Sequence, residues 1–225
     1  MARHTAQPKP PRRILLVDDH PLTRHGMAQL IGQHSDLNVC GQAGNAEQAL
    51  AKVRELSPEL VLVDVTLPGK PGLELIKDLT ALHPEALVLV VSMHDESLYA
   101  ERVLKAGARG YLMKSAGGDE LVKAIRQVFA GQVYVSQDMS AKILEGFSSK
   151  GRQRPAIVSS LSDREFEVFQ LVGEGLTTGE IGKRLHISGK TVETHRLHIR
   201  EKLGLKTTPE LTKYAVRWAG VQELL

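Results

Sequence analysis

The sequence predicts two domains: an α/β domain built as a doubly wound, five-stranded parallel sheet, then a small all-α domain of four helices. Three observations carry that reading. Between residues 13 and 131, five short apolar runs alternate with helix-like segments, and parallel strands need such crossovers. The run Glu59-Leu-Val-Leu-Val-Asp64 shows no polar alternation, as expected of a strand covered by helices on both faces. From residue 161 onward the chain turns to short helices.

Taken in order, Arg13-Ile-Leu-Leu-Val-Asp18 is the first strand, and Pro21 suits the first turn of a helix. Leu37-Asn-Val-Cys-Gly-Gln-Ala43 is the second strand. Asn45, with Gln48 three residues on, resembles a capping box opening a helix to Leu56. The third strand ends at Asp64, and after the loop Val65 to Pro71 a helix runs from about Leu73 to His83. Ala86 to Ser92 is the fourth strand. Asp95 can cap the next helix, which Gly107 stops. Arg109-Gly-Tyr-Leu-Met113 is the fifth strand, and a helix from about Asp119 to Ala130 closes the domain at Gly131.

Composition narrows the function class. Aromatics make up 4% of the chain, so both cores rest on aliphatic side chains. Cys40 is the single cysteine, which excludes an internal disulfide; it reads as a small buried hydrophobe on a strand. No apolar run approaches the roughly 18 residues of a membrane span, and Ile14 to Val17 is too short for a signal peptide. A cytoplasmic protein without membrane contact is expected. The net charge of +3 is unevenly distributed. Residues 14–151 carry 13 Lys/Arg against 17 Asp/Glu, whereas residues 152–225 carry 12 against 9. An acidic body points to a cation site, and a basic C-terminal part to a polyanion partner. Residues 1–12 read as a disordered basic tail.

In a parallel α/β sheet, ligands bind in the crevice outside the carboxyl ends of the strands. Four strands here end in chemically loaded residues: Asp18-Asp19, Asp64, Ser92 and Lys114. Any one of them alone is an ordinary cap or loop residue. As a set they describe a phosphoryl-transfer centre. Crowded carboxylates relieve their repulsion by binding protons or a hard cation, and Mg²⁺ needs only a few protein oxygens because it keeps several waters. Asp64 is then the nucleophilic carboxylate, Lys114 and the metal neutralise phosphoryl charge, and the Ser92 hydroxyl is available to a phosphoryl oxygen.

The pieces Val17-Asp-Asp-His20, Val63-Asp-Val-Thr-Leu-Pro-Gly69, Val91-Ser92 and Gly110-Tyr-Leu-Met-Lys114 resemble the receiver domain of bacterial two-component response regulators. The resemblance implies that Asp64 accepts a phosphoryl group from a sensor histidine kinase. It implies that Asp19, Asp64 and the Thr66 carbonyl bind Mg²⁺ directly while Asp18 acts through water. It also implies that Ser92 and Lys114 contact the phosphoryl group, and that Tyr111 is the aromatic that turns inward on activation. Ser115 departs from the pattern, since many receivers have Pro after the lysine.

Residues 132–160 read as a linker with a short helix from Gln137 to Gly146, ending in the basic stretch Ser148 to Pro155. Beyond it, Ser162-Asp-Arg-Glu165 and Thr177-Thr-Gly-Glu180 are capping boxes, Ser188 can cap a third helix to Leu203, and Thr208-Pro209 starts a fourth. Two short helices joined by a tight turn, the second one basic, suggest a helix-turn-helix. At about 100° per residue, the third helix gathers Val192, Ile199 and Leu203 on one stripe with His195 beside it, read as a packed histidine. Lys190, Thr194, Leu197 and Glu201 lie opposite, flanked by Glu193 and His198, with Arg196 and Arg200 on the shoulder. Thr191, beside Lys190, joins Lys190, Glu193, Thr194, Arg196, Leu197 and Arg200 as a candidate DNA contact. Leu197 among charges has little reason to be exposed without a partner. In a major groove it can meet a thymine methyl, while Lys190 and the arginines reach phosphates.

Leu161-Ser-Asp-Arg-Glu-Phe-Glu-Val168, Glu174 to Ile181 and Ile187-Ser-Gly-Lys-Thr-Val-Glu-Thr-His195 look like the LuxR-type four-helix DNA-binding domain. With the receiver in front, the chain is similar to NarL/FixJ-type response regulators. That resemblance implies double-stranded DNA as partner, a homodimer when phosphorylated, and no enzyme activity beyond the receiver's own phosphorylation and dephosphorylation. Two alternatives stand beside it. A haloacid-dehalogenase-type phosphatase also uses a strand-end Asp with Mg²⁺, but needs a second Asp where Thr66 stands. The other is a phosphorylation-independent DNA-binding protein whose receiver is only a dimerisation scaffold; the complete set of five site residues argues against it.

Overall fold

The computed structural model describes residues 10–148 and 158–222. They form two compact units that divide between Ile143 and Leu144, within the expected linker. The basic stretch 149–155 and the tail to residue 9 lie outside the described residues.

The first unit is a five-stranded parallel sheet, β1 Arg12–Val17, β2 Leu37–Ala43, β3 Leu60–Val63, β4 Leu87–Ser92 and β5 Tyr111–Met113, in the order β2-β1-β3-β4-β5. The helices between the strands are α1 Pro21–Gly32, α2 Ala46–Leu56, α3 Gly72–Leu82 and α4 Glu96–Lys105, with α5 Gly118–Phe129 after the last strand. The elements follow from local chemistry. Pro21 occupies the start of α1, where its missing N–H costs nothing. Asp95 accepts from the Ser97 amide to cap α4. At α2 only half the expected box forms. Asn45 accepts from the Gln48 amide, but Gln48 reaches past Asn45 to the Gly44 amide.

Strands buried on both faces make two cores, as their unalternating sequences require. Ile14, Leu16, Leu62, Leu89 and Leu112 pack with Met27 and Ile31 of α1 and Ile125 and Val128 of α5. The alternate residues Leu15, Val17, Val61, Val63, Val88 and Val90 are equally buried on the side of α2, α3 and α4. Arg12, assigned to the tail by sequence, is the first residue of β1, paired with Leu37 and ion-paired with Glu59. Cys40 is the extra residue of a bulge between β2 and β1, so it is half-buried rather than a core residue, and its thiol donates to the Ile14 carbonyl at 3.4 Å.

Past α5 the chain turns back along the sheet edge. Tyr134 pairs with Gly110, donating to the Arg109 carbonyl and accepting from the Tyr111 amide. The approach is close enough that a Cβ on Gly110 would lie 2.4 Å from the Tyr134 carbonyl oxygen. The Ser136 amide then donates to Glu96 Oε1 at the start of α4, and α6 Gln137–Ser148 begins. In place of the usual Pro, Ser115 sits in a 3-10 turn, Lys114–Ala116.

The second unit packs α7 Asp163–Gly173, α8 Thr178–Leu185, α9 Gly189–Leu203 and α10 Thr208–Gln222. Both expected capping boxes are complete, at Ser162/Glu165 and Thr177/Glu180. At α10 the sequence reading is one residue off. Thr207 Oγ1 accepts from the Glu210 amide, Glu210 accepts from the Thr207 amide, and Pro209 is the second helical residue. Phe166 and Phe169 of α7 meet Trp218 of α10 edge-on, tying the two helices together. Glu165 binds Lys202 at 2.6 Å, and Arg164 donates to the Leu185 carbonyl at 2.8 Å, so α7 holds both helices of the turn.

Candidate functional site

Sheet register builds the crevice. Val17 pairs with Val63, so the residues that follow, Asp18 and Asp64, stand side by side. Ser92 pairs with Met113, which puts Lys114 one step beyond Ser92. The turn under Asp64 requires glycine at its far end: a Cβ on Gly72 would lie 2.4 Å from the Asp64 carbonyl oxygen.

Lys114 Nζ lies 2.5 Å from Asp64 Oδ2 and 2.6 Å from Asp18 Oδ2. All three side chains are largely buried, with Asp18 1% and Asp64 5% exposed. Asp18 Oδ1 accepts from the His20 amide at 2.7 Å, and Asp64 Oδ1 from the Thr66 amide at 3.1 Å. Burial raises the Asp64 pKa above the ordinary carboxylate value, and Lys114 opposes this without cancelling it. Burial also disfavours the Lys114 ammonium, but Asp64 and Asp18 outweigh it and hold its pKa above the usual lysine value. The cation is therefore firmly protonated between two carboxylates.

Asp18, Asp19, His20 and Asp64 each offer a ligand atom, all within 4.8 Å of one another. Asp18 Oδ2 and Asp19 Oδ1 are covered from solvent without a well-directed hydrogen bond, although Lys114 and His20 Nδ1 lie within 2.6 Å of them. An oxygen-rich cluster with under-bonded carboxylates fits a hard divalent cation. His20 is a neighbour the sequence reading missed, despite standing directly after the acidic pair.

Ser92 is fully buried, and its hydroxyl oxygen accepts from the His94 amide at 3.3 Å. Tyr111 is also fully buried and donates to the His94 carbonyl at 2.8 Å. Expected to turn inward on activation, it already lies inward here. His94, the second neighbour missed, places Nε2 2.8 Å from the Thr66 hydroxyl. Its only signal was position, two residues past Ser92.

In the second unit, Val192 and Ile199 are the buried side of α9, with Leu203 half-buried and His195 half-buried as read. Lys190, Thr191, Glu193 and Thr194 are exposed, and Leu197 is 43% exposed. The arginines are less free than their shoulder positions implied. Arg196 Nη1 donates to Thr178 Oγ1 at 2.7 Å and lies 3.3 Å from Glu193 Oε1, while Arg200 donates to the Lys206 carbonyl at 3.4 Å.

A buried Asp–Asp–Lys crevice in one unit and an exposed helix-turn-helix in the other match two known families. Residues 14–126 match the response regulator receiver domain, and residues 159–215 match the bacterial regulatory proteins of the luxR family. The chain is a response regulator of the NarL/FixJ type. This response regulator is 36% identical to the oxygen regulatory protein NreC of Staphylococcus aureus (strain MRSA252) over 210 residues, 91% of this chain and 97% of that one. A LuxR-family two-component response regulator from Aurantimonas sp. SI85-9A1 shares 37% identity over 62% of this chain and 99% of its own, with a TM-score of 0.58. RcsB of Salmonella enterica serovar Typhimurium, solved on promoter P1flhDC with the phosphomimetic BeF3⁻, shares 25% identity over 91% of this chain and 98% of its own, with a TM-score of 0.61. As a response regulator, the chain controls transcription rather than turning over a metabolic substrate. Among the described residues, no helix is long and apolar enough to cross a membrane.

Proposed function

We propose that Asp64 takes a phosphoryl group from a phosphohistidine of a sensor histidine kinase, and that the phosphorylated chain binds promoter DNA as a homodimer through α9. The observation that carries the first half is Lys114, held between Asp18 and Asp64 at the strand ends. Asp64 Oδ attacks phosphorus in line, an oxygen–phosphorus bond forms, and the nitrogen–phosphorus bond to the kinase breaks. Burial strips water from the attacking oxygen. Lys114 shifts from pairing the two carboxylates to neutralising the transferred group. The Thr66 amide and Ser92 hydroxyl are placed to donate to phosphoryl oxygens. Asp18, Asp19, Asp64 and the Thr66 carbonyl would hold Mg²⁺, which supplies further neutralisation of phosphoryl charge.

The second half rests on the exposed row Lys190, Thr194 and Leu197, opposite the buried Val192 and Ile199. Lys190 and Thr191, at the N-terminus of α9, reach phosphates, as do Arg200 once drawn from the Lys206 carbonyl and Arg196 through Nη2 while Nη1 keeps Thr178 and Glu193; Leu197 meets a base. Val216, 47% exposed on α10, offers apolar surface to a second copy. With DNA as its target, the cytoplasm is its place of work.

Acetyl phosphate treatment followed by mass spectrometry tests the first half: one phosphoryl group on Asp64, with Mg²⁺ required. A modified Asp18 with an untouched Asp64 overturns it. For the second, Lys190→Ala should weaken binding to all sequences alike, whereas Leu197→Ala should chiefly change preference among sites. A Leu197→Ala chain unchanged in affinity and preference overturns the assigned groove face.

A further inference from the structure

We propose that Glu193 reads a cytosine in the major groove, its free carboxylate oxygen accepting from the exocyclic N4 amino group. The inference rests on α9 being the groove helix, as argued above. Glu193 lies on the exposed side of α9, between Lys190 one turn before and Leu197 one turn after, and its side chain is 54% exposed. A carboxylate on that face is otherwise a liability, because the phosphates of DNA repel it. Here the repulsion is blunted from behind.

Thr178 at the start of α8 donates to Glu193 Oε1 at 2.5 Å, and Arg196 Nη1 lies 3.3 Å from the same oxygen. Arg196 Nη1 also donates to Thr178 Oγ1 at 2.7 Å, closing a three-membered network across the two helices of the turn. Both contacts fall on Oε1; among the described residues, Oε2 accepts no hydrogen bond. The network therefore neutralises the carboxylate, fixes its rotamer before DNA arrives, and leaves one oxygen to seek a donor. Thr178, followed by Arg196, also lowers the Glu193 pKa, which keeps that oxygen an acceptor.

Base chemistry then selects the partner. In the major groove only cytosine N4 and adenine N6 are amino donors. Adenine sets the N7 acceptor beside its amino group, which repels a carboxylate, whereas cytosine sets only carbon there. Cytosine is the match. Leu197, four residues on, lies about 6 Å further along the helix. That is about two base steps of 3.4 Å, so the thymine methyl it would meet lies within about two pairs of the cytosine.

The test is selection of binding sites by the full chain from random duplex DNA, treated with acetyl phosphate. The wild type should enrich one cytosine in each half-site. Glu193→Gln should move that position toward adenine, which an amide can bond through both N6 and N7, and leave the other positions as they were. A second measurement leaves the protein unaltered. Replacing that cytosine by its pyrimidin-2-one analogue, which lacks the N4 amino group, should weaken wild-type binding about tenfold. The inference is overturned if Glu193→Gln selects the wild-type motif, or if no cytosine in the motif is sensitive to loss of N4; Glu193 is then a tie between α8 and α9 only. A wild type that enriches no motif overturns this inference and the DNA-binding reading together, whereas a motif insensitive to N4 overturns this inference alone.

Discussion

The Tyr111 hydroxyl donates to the main-chain carbonyl of His94 at 2.8 Å, joining β5 to the loop that leaves β4. Burial raises the Tyr111 pKa, so the hydroxyl stays a donor at any working pH. Tyr111→Phe keeps the ring packing and orphans the His94 carbonyl. The expected cost is about 1–3 kcal/mol, the usual range for an unpaired buried acceptor. Tyr111→Ala adds a cavity and should cost about 3–5 kcal/mol. Urea unfolding of the two variants checks the order; equal losses would mean that the hydroxyl, not the ring, dominates.

Lys114 offers a sharper contrast. Lys114→Met removes the cation held between Asp18 and Asp64 and leaves two buried carboxylates facing each other. Breaking a buried ion pair from one side costs about 3–5 kcal/mol, so the melting temperature should fall. Millimolar Mg²⁺ should restore more stability to this variant than to the wild type, because the metal takes over the lost charge balance. Thermal melts with and without Mg²⁺, ending in EDTA, settle the point; an equal Mg²⁺ effect on both proteins would count against metal binding at these carboxylates.

The helix-turn-helix unit should be acid-sensitive through His195. Burial, then the nearby Arg164, lowers its pKa below the ordinary histidine value, with Glu165 opposing and His198 adding to the shift. The unfolded chain therefore binds a proton that the folded one resists. Stability from this group is complete above about pH 6.5, the unfolded value, and is lost as pH falls through the lower folded value. Trp218, packed on Phe166 and Phe169, reports unfolding of this unit by fluorescence. Denaturation at pH 7.5 and 5.5 should show a loss in the wild type that His195→Gln reduces.

Gly110→Ala tests how the segment after α5 is tied to the sheet edge. The added Cβ would meet the Tyr134 carbonyl oxygen at 2.4 Å, which a main-chain atom cannot yield cheaply. Overpacking of this kind costs about 1–3 kcal/mol. The strain should release the Tyr134 edge pairing and with it the Ser136 bond to Glu96. Amide hydrogen exchange at Tyr111 and Ser136 should accelerate, whereas Val63 and Val90 in the sheet centre should not change.

The alternation of apolar runs and caps determined the fold class, because strands covered on both faces and helices stopped by Gly or opened by Asn, Asp, Ser and Thr are set by neighbours in sequence. Asp18, Asp64, Ser92 and Lys114 were legible for a related reason: in a parallel sheet, the end of every strand points into one crevice, so strand ends can be read off as a site. What the sequence could not determine were contacts made across elements. His94 reaches Thr66 only because two separate loops meet over Asp64. Tyr134 closes the sheet edge through main-chain bonds that no side-chain pattern announces. Arg196 looked free on its helix, and the turn of α8 supplied the Thr178 hydroxyl that holds it. Local periodicity decides which face of an element is buried; only the packing of distant elements decides which polar atoms on the other face are already taken.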